Sequence, residues 1–255
     1  VGTIVSPFVM SYSLTVFNWN MGYRIVGFIQ LGIGLLLLIT LPVWKANIQT
    51  GDVASESIGL AGALKIKGVP YLLTGFFAYC AAESTAMYWA STYMVEVRNI
   101  STERAARFAS LFYIGLTIGR FLGGFIMNKL GDRKMIILGT CILSCGIISL
   151  LIPTESSFVP LAGFIIIGFG CAPIYPCIIH STPYNFGPEN SGAIIGIQMA
   201  SAYVGTTFIP PLFGVLGNLI GFKVFPVYLL VFVILMISMT ELTFKITGKS
   251  RRGRV

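Results

Sequence analysis

The sequence predicts an all-α integral membrane protein with eight transmembrane helices. Three observations carry that reading. Of the 255 residues, 55% are hydrophobic and 10% are charged, whereas a soluble domain carries about 25% charged residues. The mean hydropathy is +0.85. The apolar residues also gather into eight runs of about 20, the length a helix needs to cross a hydrocarbon core of about 30 Å. Together these features exclude soluble globular domains, disordered chains and nucleic-acid-binding modules. The net charge of +8 does not point to nucleic acid, because the 17 Lys and Arg residues sit between and beyond the apolar runs. Loops facing an anionic leaflet carry their charge in that way.

The runs cover residues 1–17, 24–43, 70–92, 105–127, 134–152, 158–180, 190–214 and 223–243, read from length and from the polar punctuation between them. The first begins at Val1 without Met or a basic leader. No small-residue cleavage site follows it, so it is not a signal peptide; it reads as a chain entered partway. The second run is closed by Lys45. The single long connection, 44–69, holds Gly51, Asp52, Ser55, Glu56, Ser57, Lys65 and Lys67, and reads as a cytoplasmic linker between two bundles. Residues 1–43 are then the end of an incomplete bundle, 70–243 a six-helix bundle and 244–255 a basic tail. Alternate loops and tails carry eleven Lys and Arg residues on one side and five on the other, with Arg120 inside a span. The richer side is cytoplasmic by the positive-inside rule. It holds Lys129, Arg133, Lys134 and the C-terminus, while Arg98 and Lys223 are external.

Cys80, Cys141, Cys145, Cys171 and Cys177 all lie inside apolar runs, where a thiol packs as a small apolar group. Cysteine and histidine show no zinc spacing, and the pair Cys177 and His180 is too sparse for a metal. No cofactor is expected.

The chain also repeats itself. Gly2 to Phe8 (GTIVSPF) matches Gly205 to Pro211 (GTTFIPP), and Gly22-Tyr23-Arg24-Ile25 matches Gly221-Phe222-Lys223-Val224. The offsets, 203 and 199 residues, are nearly equal. Parallel repeats of this kind mark one large class of transporters. Spans one and two would be the last pair of a first bundle, whose other four helices precede Val1.

Between spans four and five the chain reads GRFLGGFIMNKLGDRK. Gly124, Asn128, Lys129, Gly131, Arg133 and Lys134 resemble the Gly-x-x-x-Asp-Arg-x-Gly-x-Arg-Lys loop of the major facilitator superfamily. Asn128 stands where that pattern has Asp, which weakens a gate role built on the carboxylate. Glycines permit close helix approach and a tight turn, and the basic residues anchor the cytoplasmic end. FGCAPIYPCI from Phe169, AESTAMYWASTYM from Ala82 and SGAIIGIQMASAYVG from Ser191 are similar to the fucose-permease branch of sugar–proton symporters. The resemblance implies a chain running from about the fifth helix of a twelve-helix transporter to its C-terminus. It also implies a plasma-membrane location and helices of an N-terminal bundle as partners.

Glu83 is the sharpest site signal. It sits near the middle of span three, where a charge costs about 2.5–3.5 kcal/mol or more, so it is expected to face the bundle interior and to carry the coupled proton. Tyr79 and Met87 lie one turn either side on the same face and join it as substrate contacts. Pro173 and Pro176 interrupt span six, which predicts a kink or an irregular stretch, tolerated where it lines a cavity, and brings in Tyr175. Ser191, Gln198, Ser201 and Gly205 form one stripe in span seven, with Gln198 either a substrate contact or helix-packing glue. Gly192 and Gly196 form a small-residue packing face. Arg120, about two turns inside the cytoplasmic end of span four, reads as a helix-to-helix tether near the gate, not closely paired with Glu83. Tyr88 and Trp89 can stack on a sugar ring or belong to the outer aromatic belt, and the position of Trp89 favours the belt. His180 and Glu241 read as interfacial.

The function expected is secondary transport of a small, sugar-like solute, coupled to protons and working by alternating access. Efflux by the same fold and a non-transporting sensor are the alternatives. One histidine, no carboxylate pair and no phosphate-binding loop argue against an enzyme or an ATP-driven pump.

Overall fold

The computed structural model describes residues 19–46, 60–154 and 156–252. The chain divides into two units, Val1–Glu56 and Ser57–Val255. The described part of the first is helix α1, Trp19–Ala46. Leu31, Ile33 and the run from Leu35 to Ile39 are all exposed on it. A helix that is apolar all round needs lipid or other helices about it. The first expected span, 1–17, and most of the linker lie outside the described residues. Gly22 falls within α1, whereas Gly221 has φ 95° between two helices. The second repeat match therefore does not share a backbone conformation.

The second unit opens with the short helix α2, Leu60–Lys65. Gly68, at φ 104°, then turns the chain into α3, Val69–Arg98, with Pro70 in its first turn, where a missing N–H costs nothing. Asn99, at φ 53°, ends α3, and its N–H donates to the Met94 carbonyl. Helix α4 spans Thr102–Leu130 and α5 spans Asp132–Ser149. They are joined by Gly131 alone, at φ 75°; the tight turn expected of the loop motif is made there. Helices α6, Phe158–Cys171, and α7, Ile174–Phe186, divide the sixth span. Helix α8 is Pro188–Ile220 and α9 is Phe225–Arg252, with a single 3-10 turn, Phe222–Val224, between them.

Four stretches are long and apolar enough to cross a membrane by composition alone: Asn20–Pro42, Phe158–Phe186, Pro188–Ile220 and Phe222–Gly248. Helices α3, α4 and α5 fall short of that measure. Polar residues such as Glu83, Arg120 and the Asp132-Arg133-Lys134 run lie on them. At 30, 29 and 18 residues they are nonetheless long enough to span.

Helix α6 lies between α4 and α5, and α3 lies between α8 and α9. The first arrangement depends on glycine. A Cβ on Gly168 would fall on the Phe112 carbonyl, and one on Gly115 on the Ile165 carbonyl, so the backbones of α4 and α6 touch. The α3 end is fastened by Arg98. Its guanidinium donates to the carbonyls of Leu150, Ile152 (3.0 Å) and Thr154 (3.4 Å) and lies over the Tyr93 ring at 5.8 Å. A cation there satisfies carbonyls that the end of α5 leaves without helix partners.

Candidate functional site

Glu83 sits midway along α3, on the face shared with Tyr79. The Tyr79 ring is fully buried, and its phenol donates to the Cys171 carbonyl at 2.9 Å. Glu83 lies one helical turn further along that face. Cys171 is the last residue of α6, at the break before α7. Of the two forms the prolines allow, the break takes the kink. Ala172 and Pro173 keep right-handed helical dihedrals, at φ −51° and −81°. The span is kinked, not unwound, because each proline removes one N–H donor while its fixed φ still suits a helix.

Tyr175, one residue into α7, turns toward α3 and α8. Its ring lies 5.0 Å from Phe76 and 6.3 Å from Tyr79, and its hydroxyl contacts Met199 Sδ at 3.3 Å. Beside it is a cavity of about 410 Å³. Helix α4 contributes Arg120, Gly123, Gly124 and Met127 to its wall, α5 contributes Met135, and the kink contributes Pro173. Arg120 is exposed at this cavity and makes no hydrogen bond or ion pair with a described residue. The expected helix-to-helix tether is thus not made. Arg120 is instead the cation whose field reaches Glu83, although the two are not in contact. Gly124 has no described atom within 4 Å of a built Cβ. It is a cavity wall and not the close-approach glycine the motif suggested; Gly115 has that role.

Gln198 is fully buried. Its Oε1 accepts from Thr182 Oγ1 at 3.1 Å, tying α8 to α7, and its Nε2 has no partner among the described residues. Of the two readings open for it, packing glue fits this closed position. The rest of its stripe packs too: Ser201 Oγ donates to the Leu73 carbonyl at 3.0 Å, and Gly205 approaches Phe77. Met87 is half-buried against the core. Gly192 and Gly196, expected to be a packing face, are exposed with no described atom within 4 Å of a built Cβ. Trp89 is no lipid-facing belt residue. Its Nε1 donates to the Pro210 carbonyl at 2.9 Å, and its ring packs on Phe213 and Phe222 at 5.5 and 5.6 Å. Tyr88 is 66% exposed.

The loop motif makes two cross-links. Arg133 pairs with Glu241 of α9 through both carboxylate oxygens, with Nε to Oε1 at 3.1 Å. The hydrogen bond and charge of Glu241 hold the Arg133 guanidinium above its usual pKa. His180 Nδ1 of α7 lies 2.9 Å from Asp132. Sequence reading passed over Asp132 and took His180 and Glu241 as isolated interfacial groups. A carboxylate in the first turn of α5, where a helix N-terminus favours it, was the available signal. Lys129 and Lys134 are exposed, and the Asn128 side chain lies outside the described set. No group of three or more His, Cys, Asp or Glu suited to a metal occurs among the described residues.

The profile of the Major Facilitator Superfamily matches residues 1–205 and 108–254. An uncharacterised transporter of this superfamily from Yersinia pestis is 30% identical over 102 residues, 40% of this chain and 26% of its own length. A Helicobacter pylori protein provisionally named a glucose/galactose transporter is 27% identical over 146 residues, 57% of this chain and 35% of its own. An Arabidopsis thaliana protein provisionally named a glycerol-3-phosphate transporter is 26% identical over 169 residues, 53% of this chain and 32% of its own. Among solved structures, the transporter FucP in its outward conformation aligns with a TM-score of 0.71 at 13% identity, over 91% of this chain and 57% of its own. A structure of the E. coli fucose:proton symporter FucP gives 0.67 at 14% identity, over 91% and 58%. This chain therefore spans a minor part of the curated relatives it matches and just over half of the solved ones. The all-helical bundle, the glycine-turned loop between α4 and α5 and a family profile that matches nearly the whole sequence agree: the chain belongs to the Major Facilitator Superfamily.

Proposed function

We propose that this protein is a secondary transporter of a small, sugar-like solute, driven by protons taken up at Glu83. The observation that carries the reading is the buried hydrogen bond from Tyr79 to the kink, one helical turn from Glu83. Tyr79 donates its one proton to the Cys171 carbonyl. Its oxygen lone pairs are then free to accept from a protonated Glu83 carboxyl. An ionised Glu83 asks instead for the phenol's proton, and the bond to Cys171 must break. Gain or loss of one proton thus decides whether α3 holds the end of α6, beside the cavity.

In this reading residues 70–243 are the second bundle of an alternating-access pair, with residues 1–43 in the first. The C-terminus faces the cytoplasm and the membrane is the plasma membrane. The names of the sugar-transporter relatives and the positive-inside count support this assignment. The test is Glu83→Gln in the full-length protein in proteoliposomes, which fixes the uncharged form. Proton-driven accumulation of the solute should stop while exchange at equal proton potential continues. Accumulation equal to the parent's would assign the proton to another group.

A further inference from the structure

Proton uptake at Glu83 does not by itself account for the Arg120 cavity, whose chemistry points to the solute. A guanidinium inside a membrane span is costly, and such groups normally pair with one another, with carbonyls or with a ligand. Arg120 has no hydrogen-bonding or ion-pairing partner among the described residues, yet it opens onto a cavity of about 410 Å³. That size lies within the range of about 300–1,000 Å³ typical of small-molecule sites. The rest of the wall is apolar or aromatic, from Met127, Met135, Pro173 and Tyr175. One fixed cation in an apolar wall is a receptor for a small organic molecule with a single anionic group. The planar fork of Arg suits carboxylate and phosphate oxygens better than the hydroxyls of a neutral sugar.

We propose that the Arg120 cavity is an oxyanion subsite, and that the transported solute carries one carboxylate or phosphate group. The inference rests on the transporter reading and narrows its substrate class from sugar-like solutes to anionic ones. It also explains why cation and acid lie close without pairing. An anion on Arg120 is repelled by an ionised Glu83 and not by a protonated one. Anion and proton therefore enter together, and for a carboxylate or a singly charged phosphate the net charge of the site is unchanged. The other titratable groups close enough to interact electrostatically with Glu83 are phenols and thiols: Tyr79 and Cys80 of α3, Tyr113 of α4, Cys171 of α6 and Tyr175 of α7. None is a second cation able to take the anion.

The test uses purified full-length protein, with D-gluconate, glucose 6-phosphate and D-glucose as probes. Ligand-induced thermal stabilisation and counterflow are both measured. At least one anionic probe should bind, and which one binds distinguishes carboxylate from phosphate. Arg120→Gln should weaken that binding about ten- to hundred-fold, the loss of charge-assisted hydrogen bonds, and Arg120→Lys should restore part of it. Glu83→Gln should bind the anion at least as tightly as the parent. Counterflow of D-glucose alone, with no response to either anion, overturns the subsite and leaves the transporter reading standing. No binding or counterflow of any probe sinks both. Anion binding that Arg120→Gln leaves unchanged also overturns the subsite. So does an Arg120→Gln protein that melts far below the parent without ligand while no anion binds, since Arg120 then pairs with protein.

Discussion

Replacing Gly168 by Ala tests whether backbone contact between α4 and α6 sets the shape of the site. A Cβ at Gly168 meets the Phe112 carbonyl and, at 3.0 Å, the Leu116 amide nitrogen. Both obstacles are backbone, so no side chain can rotate aside and the helices must separate. Overpacking costs about 1–3 kcal/mol, and a backbone obstacle places this substitution near about 3. The better helix propensity of Ala returns about 1 kcal/mol, leaving a net loss of about 2. At about 2–4 °C per kcal/mol for a chain of this size, Tm should fall by about 4–8 °C. Gly124→Ala is the matched control, in the same pair of helices but with open space around it. It should raise Tm by about 2–4 °C, from propensity alone. Gly115→Ala forces the same separation from the other side, so the double variant should lose less than the sum. Because α4 carries Arg120 and α6 ends at the Cys171 carbonyl, ligand binding should weaken together with Tm. Circular dichroism melts of the purified variants read the outcome. A Gly168→Ala protein within about 1 °C of the parent, or a Gly124→Ala protein as unstable as Gly168→Ala, would refute the reasoning.

Tyr79→Phe removes the donor to Cys171 and the acceptor for Glu83; in transport assays the accumulation ratio should drop while exchange persists, and an unchanged ratio would remove Tyr79 from the coupling. Single cysteines at Lys129 and Arg98, in a background lacking the five native thiols, should label from opposite faces of the membrane, and labelling from one face would break the span assignment. Glu241→Gln should cost no more than about 1 kcal/mol, the scale of an exposed ion pair, and the loss should shrink in high salt; a larger loss in melts would make the Arg133 cross-link a structural anchor.

Composition and run length determined that this is a helical membrane chain, because a bilayer core has no water to satisfy the polar backbone and a helix pairs its N–H and C=O groups within one segment. The basic residues between the runs and the Gly131 turn were equally legible, since both are local. Glu83 stood out because a carboxylate at that depth is costly, whether it serves function or ties its helix to a neighbour. The partners of these residues were not legible. That Tyr79 reaches the Cys171 carbonyl across 92 positions, that Arg133 meets Glu241 and that Trp89 finds Pro210 depends on which helix faces which. In lipid every helix face is apolar, so hydropathy does not mark the contact face. Glycine spacing carries the same ambiguity: Gly115, Gly124 and Gly192 look alike in the sequence. Only the packed bundle puts the first against a backbone and leaves the other two open. The standing of Arg120 was decided in the same way. Its depth is a property of one helix, but its lack of a partner among the described residues and the cavity before it arise from three helices meeting at a proline kink.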